Sequence, residues 1–265
     1  MSWLQVVVLA VVQGLTEFLP ISSSGHLILT PHLLGWNDQG LAFDVAVHLG
    51  TLIAVVTYFR NDLSDMLISG MAVVSGKPPT PAAYLLKFVI IATVPTALVG
   101  FFLNDLIELY LRSPLVIGLT TIGFGVLLWL SDVFKREHRD TGDLTTRDAL
   151  LIGLAQVLAL IPGTSRSGIT MTAGLALGLG RKAAARFSFL MAIPIIFLAS
   201  GLQVVKLVQS PLATDWLMLG AGVVLSAIAA YLCIRWFLAW IERCGFLPFA
   251  LYRILLGIVI FVLLV

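Results

Sequence analysis

The chain alternates long apolar stretches with short polar ones, and the lengths of the apolar stretches predict its main elements. A membrane-spanning α-helix needs about 20 mostly apolar residues. Six stretches reach that length. They cover residues 43–60, 83–103, 113–131, 187–208, 215–240 and 247–265. The pattern therefore predicts an all-α integral membrane protein with about six transmembrane helices.

Two further apolar stretches are interrupted by polar runs. The stretch 2–35 breaks at Pro20–His26, and the stretch 149–180 breaks at Pro162–Gly168. Each predicts a hairpin of two half-helices around a polar break. Because non-helical backbone at membrane depth is tolerated only inside protein or beside water, two such breaks indicate a functional site.

The positions of Lys and Arg predict the orientation. The loops 60–82 and 132–148 are rich in these residues and are expected in the cytoplasm, whereas 104–112 has only Arg112 and is expected outside. Arg181, Lys182 and Arg186 again predict a cytoplasmic position, so 149–180 is expected to re-enter from that face. The stretch 2–35 has no Lys or Arg and fits a hairpin from the outer face, or alternatively two short spans.

This layout predicts a single membrane domain, 1–265, made of two inverted repeat halves. The halves cover about 1–131 and 149–265 and are joined by the cytoplasmic loop 132–148. Their sequences support a register in which Gln13 matches Gln156 and Ser22–Gly25 matches Ser165–Gly168. Since inverted repeats with broken helices form their sites near the bilayer midplane, the two breaks are expected to meet there.

The composition agrees with lipid as the solvent and excludes some functions. Hydrophobic residues make up 59% of the chain and charged residues 11%, against about 25% charged in soluble domains. The net charge is only +2, which gives nucleic-acid binding no electrostatic support. Cys233 and Cys244 fit no metal spacing and are expected to be free thiols without a catalytic role. No basic segment precedes Arg60, so a cleaved signal peptide is not expected.

The first polar cluster combines Gln13 and Glu17 with the break residues Ser22, Ser23, Ser24, Gly25 and His26. Gln13 and Glu17 are four residues apart and share a helix face. An intramembrane carboxylate is costly and usually functional. A structural hydrogen bond or a serine N-cap accounts for one polar residue, but not for the whole set. Serine hydroxyls and the free N–H groups of a half-helix suit a phosphate, and His26 suits proton transfer.

The second cluster is centred on Arg166, whose planar guanidinium matches phosphate oxygens. Further donors are expected from the residues around it, namely Gly163, Thr164, Ser165, Ser167, Gly168 and Thr170. A simpler alternative is that Arg166 only pairs with Glu17, at least without substrate. His48, four residues after Asp44, either lines the site or bonds only to that neighbour.

Together these groups favour hydrolysis of a phosphoryl group. A carboxylate facing phosphates also suggests a divalent cation, Mg²⁺ or Ca²⁺, with Glu17 and Gln13 as its candidate protein ligands. The sequence has no dense all-protein metal cage, so the cation is expected to arrive with the diphosphate.

These residues resemble those of a known family, the bacterial undecaprenyl-diphosphate phosphatases, which are also called bacitracin-resistance proteins. The run Gln13-Gly-Leu-Thr-Glu17 is similar to the family's (Glu/Gln)xxxGlu motif, and Pro162 to Thr170 matches its PGxSRSxxT motif at every fixed position. Ser-Ser-Ser-Gly-His26 lies where the family carries its serine-rich segment and histidine. Gln at position 13 is allowed by the motif, but it leaves open whether that position binds metal directly.

The resemblance implies an enzyme of the bacterial cytoplasmic membrane that removes the terminal phosphate of undecaprenyl diphosphate. The product, undecaprenyl phosphate, is the recycled lipid carrier for peptidoglycan and other cell-wall polymers. The implied catalytic residues are Glu17, Ser23, His26 and Arg166. Ser23 is our first candidate nucleophile, followed by Ser22 and Ser165, and an activated water is an alternative.

Two other functions compete with the phosphatase. Inverted repeats with broken hairpins are also typical of transporters, so a polyprenyl-phosphate flippase is the main alternative. A structural scaffold is the other. The expected partners are the polyprenyl diphosphate substrate and membrane lipid. The oligomeric state is left open, with a homodimer as one option.

Overall fold

The protein is described here by a computed structural model that covers residues 1–111, 113–134, 139–208 and 215–264, with backbone alone for 104–109, 206–208 and 264. This part of the chain is helical and contains no β-strand. Its α-helices are α1 Trp3–Thr16, α2 Ser23–Leu34, α3 Leu41–Tyr58, α4 Arg60–Val74, α5 Pro81–Tyr110, α6 Pro114–Val133, α7 Thr146–Val157, α8 Arg166–Ala176, α9 Arg181–Val208, α10 Trp216–Cys244 and α11 Leu247–Leu264.

Five of these helices are long and apolar enough to cross a membrane, namely α3, α5, α6, α9 and α10. They match five of the six predicted spans, which makes the chain a multi-pass, all-α membrane protein. The sixth predicted span, 247–265, corresponds to α11, whose apolar stretch Leu247–Leu263 is shorter than those five. Both cysteines are free, as predicted.

Two interruptions of the helical structure, 17–22 and 158–165, overlap the predicted breaks at Pro20–His26 and Pro162–Gly168 but lie a few residues earlier. Helix α1 ends at Thr16 and α2 begins at Ser23, while α7 ends at Val157 and α8 begins at Arg166 after a short 3₁₀ turn. With 11 to 14 residues each, these helices rise only about 16–21 Å at 1.5 Å per residue. None of the four is long enough to cross a bilayer core of about 30 Å by itself.

The segment 60–82, predicted to be a loop, contains helix α4. Its charges suggested a solvated loop, but Arg60–Val74 contains no proline and forms a helix in which only Met66 is buried. Helix α5 also continues past residue 103 to Tyr110, so most of the predicted loop 104–112 is helical. Three residues used to predict the orientation lie outside the described part of the chain: Arg112, Lys135 and Arg136.

The first short helix of each pair packs against a long helix from the other half of the chain. Helix α1 packs on α10, and α7 packs on α5, while α3 crosses α10 and α6 runs along α11. Small residues allow the closest approaches. A Cβ added at Gly50 in α3 would lie 2.0 Å from Ser226 Oγ and 2.3 Å from the Val223 carbonyl oxygen of α10. The crossing of α3 and α10 therefore depends on a residue without a side chain.

Ion pairs join the helices at the end for which the basic residues predict a cytoplasmic position. Arg181, the first residue of α9, donates to both carboxylate oxygens of Asp132 in α6, at 2.7 and 2.9 Å. Arg186 pairs with Asp62 of α4, and Arg139 donates to Asp148 of α7 at 2.6 Å. These contacts connect helices from both halves at one end of the molecule.

We expect Gly50→Ala to lower the free energy of unfolding by about 1–3 kcal/mol, the usual cost of overpacking. The added methyl group would collide with the backbone of α10, which cannot move aside as a flexible side chain would. Thermal unfolding in detergent measures the effect. Gly123→Ala in α6 is the matched control, since a Cβ there meets nothing within 4 Å. Equal stability of the two variants would contradict the close crossing.

Candidate functional site

Each helix interruption ends in a serine with unusual backbone geometry. Ser22 caps α2 with φ +72°, and Ser165 caps α8 with φ +68°. They are the only non-glycine residues with positive φ in the described part of the chain. The Ser22 hydroxyl accepts from the Gly25 N–H at 3.4 Å, and that of Ser165 accepts from the Gly168 N–H at 3.2 Å. A positive φ at a non-glycine residue costs about 1–3 kcal/mol, and residues with this strained conformation cluster at functional sites.

The carboxylate of Glu17 joins the two interruptions. Its Oε1 accepts from Arg166 Nη2 of the second break at 3.0 Å. Its Oε2 accepts from Ser23 Oγ of the first break at 2.9 Å and from Gln13 Nε2 at 2.9 Å. The carboxylate thus contacts both a hydroxyl and a guanidinium, and the predicted pairing with Arg166 is present.

Arg166 has one further polar contact and one aromatic neighbour. Its Nη1 donates to the Ser188 carbonyl oxygen of α9 at 3.2 Å, and its guanidinium carbon lies 5.9 Å from the centre of the Phe18 ring. The side chain is 12% exposed. These contacts hold the guanidinium in place, and the side chain still lines a neighbouring cavity.

A cavity of about 250 Å³ opens at this ion pair. Both breaks contribute to its wall, through Glu17, Ser23, Ser24, Ser165 and Arg166, and helix α3 contributes His48. The opposite wall belongs to α5 and α9 and includes Thr96, Ser200 and Gln203. The structure thus brings together, around one space, the acidic, basic and hydroxyl groups that sequence analysis selected from distant segments.

His48 lines this cavity, which was one of two alternatives considered for it. Its Nε2 lies 3.8 Å from Glu17 Oε2. Its Nδ1 donates to the Asp44 carbonyl oxygen at 2.7 Å, so it contacts the backbone of that residue. His48 is therefore the histidine next to the carboxylate.

His26 does not line the cavity. Its Nδ1 donates to the Ser22 carbonyl oxygen at 2.7 Å, and its Nε2 lies 2.6 Å from the Tyr252 hydroxyl of α11. Both ring nitrogens are thus engaged, and the ring stacks on Tyr252. In this arrangement His26 supports the backbone of the first break and does not contact Glu17 or Arg166.

Several other predicted site residues shape the second break. Ser167 Oγ donates to the Leu19 carbonyl oxygen at 2.9 Å and thereby ties the two hairpins together. Thr170 Oγ1 lies 2.7 Å from Ser188 Oγ. Thr164 is fully buried, and Gly163 has φ +88° in a space where a Cβ would lie 2.5 Å from the Ile117 carbonyl oxygen. These residues, like Gly25 and Gly168, hold the turns, while Ser24 joins the cavity wall.

Arg253 was not among the predicted site residues, yet it is fully buried and contacts both breaks. Its guanidinium donates to the carbonyl oxygens of Gly163 and Thr164 at 2.9 Å and to that of Pro20 at 3.4 Å. A signal was present, because Arg253 is a charged residue inside the apolar stretch 247–265, where charges are rare and usually functional.

The donor set also bears on the expected cation. The described residues contain no group of three or more His, Cys, Asp or Glu side chains that could hold a metal ion. However, Gln13 Oε1 is buried without a hydrogen-bond partner and belongs to the amide that contacts Glu17. A carboxylate, a free amide oxygen and the Ser23 hydroxyl are hard oxygen ligands, which fit Mg²⁺ or Ca²⁺ if substrate oxygens complete the shell.

The fold and the site define a class, namely integral membrane proteins that carry a polar cavity where two broken helices meet. The family model "Bacitracin resistance protein BacA" matches residues 6–259. The chain belongs to this family.

Curated relatives match the chain over nearly its whole length. It is 58% identical to "Undecaprenyl-diphosphatase 2" of Stutzerimonas stutzeri, with 99% of this chain and 98% of the relative covered. It is 55% identical to "Undecaprenyl-diphosphatase" of Teredinibacter turnerae and 55% identical to the protein of the same name from Chromohalobacter salexigens, with 99% of each chain covered in both comparisons.

We expect Glu17→Gln to destabilise the protein by about 3–5 kcal/mol, because it leaves the Arg166 guanidinium as a partly buried charge without its anion. The double variant Glu17→Gln/Arg166→Gln should regain part of this loss, since it removes the unpaired charge as well. Thermal unfolding of Glu17→Gln, Arg166→Gln and the double variant in detergent gives the coupling energy between the two side chains. Additive losses would show that the two side chains are not coupled.

Proposed function

We propose that this protein hydrolyses undecaprenyl diphosphate to undecaprenyl phosphate and inorganic phosphate, as a phosphoric anhydride hydrolase. Family membership and the names of its relatives support this reaction. The single observation that carries it is the position of Glu17. Its carboxylate binds the Ser23 hydroxyl and the Arg166 guanidinium, which belong to the first residues of α2 and α8. These are the groups that a phosphoryl transfer requires.

Ser23 is the proposed nucleophile, and Glu17 the proposed base. Ser23 Oγ attacks the terminal phosphorus, its proton passes to Glu17, and the anhydride P–O bond breaks to release undecaprenyl phosphate. Water then attacks the phosphorus of the phosphoserine. As the Ser23 Oγ–P bond breaks, the proton on Glu17 returns to Ser23 Oγ and inorganic phosphate is released. Ser22 and Ser165 are weaker candidates because their hydroxyls already cap helices. Attack by a water that Glu17 activates remains the alternative.

Arg166 and the backbone of the breaks are proposed to bind the diphosphate. In the absence of substrate Arg166 pairs with Glu17, and its guanidinium would turn to the phosphate oxygens when the anion enters. The first N–H groups of α2 and α8 have no acceptor within their own helices and favour an anion. The turn residues that hold these groups are Ser22, Ser24, Gly25, Gly163, Thr164, Ser165, Ser167, Gly168 and Thr170.

His26 keeps a proposed role in the site, but a less direct one. Since it contacts Ser22 and Tyr252, it would act on the reaction through the serine turn. His48 is closer to the reacting groups.

A divalent cation, Mg²⁺ or Ca²⁺, is proposed to bind together with the diphosphate. Glu17 and Gln13 would hold it from the protein side, because the free Gln13 amide oxygen lies on the residue that contacts the carboxylate. When bound, such a cation supplies positive charge that stabilises the developing charge on phosphate oxygens.

An inverted repeat is the proposed arrangement of the two halves, about 1–131 and 149–265, with each hairpin re-entering from one face. The matching serine turns support it, because Ser22 and Ser165 share both their positive φ and their capping bond. The packing supports it too, since α1 on α10 mirrors α7 on α5.

The site is proposed to open toward the outer face of the bacterial cytoplasmic membrane. Gln203, in the cavity wall, follows Arg181 by 22 residues within α9, or about 33 Å along the helix axis. Arg181 lies at the end marked as cytoplasmic, where ion pairs join the helices. A long lipid tail would stay in the bilayer, because removing it costs about 0.8 kcal/mol per CH₂.

In this role the protein would recycle the lipid carrier of peptidoglycan and other cell-wall polymers. Bacitracin resistance, the name of the family, would follow from the same activity. A polyprenyl-phosphate flippase is the second candidate, favoured by the packing of each hairpin on the opposite half.

Detergent-purified wild type should release inorganic phosphate from undecaprenyl diphosphate, and EDTA should abolish the release until Mg²⁺ or Ca²⁺ is restored. Arg166→Ala should reduce the release at least about 100-fold, the effect of losing one key charge-stabilising donor. Arg60→Ala is the matched control, since Arg60 is exposed and contacts only the Thr57 carbonyl oxygen. Transport cannot occur in detergent, so phosphate release there reports hydrolysis alone. Folded, metal-supplied wild type that releases no phosphate would therefore refute the phosphatase and favour the flippase.

Gln203→Cys should react with a membrane-impermeant maleimide from outside intact spheroplasts, because the cavity opens on that side. Ser75→Cys, at the end of α4 and exposed, should react only after permeabilisation. Both variants are made with Cys244→Ser, since Cys244 is the partly exposed native thiol. The reverse labelling pattern would contradict the proposed orientation.

A further inference from the structure

Arg253 is unusual among the charged residues because it is fully buried and contacts only backbone carbonyl oxygens. Besides those of Gly163, Thr164 and Pro20, it donates to the Thr121 oxygen at 3.0 Å and to the Thr120 oxygen at 3.4 Å. No carboxylate of the described residues lies within ion-pair distance of it. A buried charge without an anion is expensive, so its retention calls for a specific task.

The contacts of Arg253 converge on both interruptions at once. Pro20 lies two residues before the Ser22 cap, Thr164 directly precedes the Ser165 cap, and Thr120 and Thr121 belong to α6. The same guanidinium lies against the start of α8, since a Cβ at Gly168 would be 2.7 Å from Arg253 Nη1. One planar group with five N–H donors therefore fixes three segments relative to each other.

The hydrogen bond to the Thr164 carbonyl oxygen also fixes the direction of the Ser165 N–H. No peptide bond of the described chain is cis, and in a planar trans peptide the C=O and the following N–H point in opposite directions. Because Arg253 holds the Thr164 carbonyl oxygen at 2.9 Å, the N–H of Ser165 must point away from Arg253. Ser165 and Arg166 both line the cavity.

We propose that Arg253 is a positioning residue, which holds the carbonyl oxygens of both breaks so that the N–H groups of Ser165, Arg166 and Ser167 face the transferring phosphate. It does not touch the substrate. It acts through the peptide of Thr164 and Ser165, and its charge adds to the positive potential behind the site. This role rests on the proposed phosphatase activity.

The test compares wild type with Arg253→Lys in detergent. Lysine keeps the charge, but its single ammonium group cannot reach all five carbonyl oxygens. Donors aimed at developing charge act mainly in the transition state, and removing one costs about 10²–10³ in kcat. For donors that are misaligned and not removed, we expect kcat to fall about tenfold or more while KM changes less than about threefold.

A second variant displaces Arg253 without changing it. A Cβ at Gly125 in α6 would lie 2.9 Å from Arg253 Cβ, so Gly125→Ala should push the side chain and lower kcat in the same direction. Gly118→Ala is the matched control in the same helix pair, because its Cβ would meet only the Phe261 ring, at 3.0 Å. Its kcat should equal that of wild type. If Arg253→Lys does not fold, Gly125→Ala takes its place.

Hydrogen–deuterium exchange provides a readout independent of activity. The segment 161–169 should exchange faster in Arg253→Lys and Gly125→Ala than in wild type and Gly118→Ala, whereas the segment 43–58 of α3 should be unchanged. Unchanged kcat and exchange in both variants would overturn the proposal, and so would a kcat loss that only parallels the loss of folded protein. Wild type without phosphate release would refute the phosphatase, while the exchange data would still decide whether Arg253 holds the break.

Discussion

Two interruptions of helical backbone must satisfy their polar groups away from bulk water, and the rest of the site depends on how they do so. The carbonyl oxygens are covered by protein donors, chiefly Arg253 and the hydroxyls of Thr120 and Thr121. The N–H groups of Gly25 and Gly168 are capped by serine hydroxyls, and the N–H groups before them at the start of α2 and α8 have no helical acceptor. These helix starts line the cavity through Ser23, Ser24, Ser165 and Arg166, so their uncapped donors favour an anionic ligand.

The same turn occurs twice, but with different chemistry on it. In the register set by the two capping serines, Ser23 of the first half corresponds to Arg166 of the second, and Glu17 corresponds to Leu160. The shared geometry provides two anion-binding turns, while the unequal side chains provide a hydroxyl, one carboxylate and one guanidinium. Because Glu17 and Arg166 neutralise each other at 3.0 Å, both charges can be held inside the protein until a diphosphate competes for the guanidinium.

Enzyme and transporter make different demands on this architecture. A phosphatase needs access from one face only, which agrees with a cavity that reaches Gln203 while ion pairs such as Arg181–Asp132 join the helices at the other end. A flippase must also open toward that other end, where these ion pairs join the helices. The arrangement of the described residues therefore favours the phosphatase, although the repeat architecture is shared with transporters.

Local sequence patterns were enough to predict the long helices, the two breaks and the residues Glu17 and Arg166. These features follow from properties of short segments: the apolar length that crosses a bilayer, the breaking of helices by Pro and Gly, and the high cost of an intramembrane charge. The same cost applied to Arg253, whose place in the last apolar stretch could have been noticed.

Other features depend on how distant helices pack. Helix α4 was not predicted because its charges resemble those of a loop. The sequence placed His26 in the serine run and left His48 undecided, yet helix packing turns His26 toward Tyr252 and brings His48 to 3.8 Å from Glu17. Which face of a short helix meets the cavity depends on its rotation against distant helices. That rotation is fixed by contacts between residues more than a hundred positions apart, such as Arg253 with Thr121, and a local pattern does not encode it.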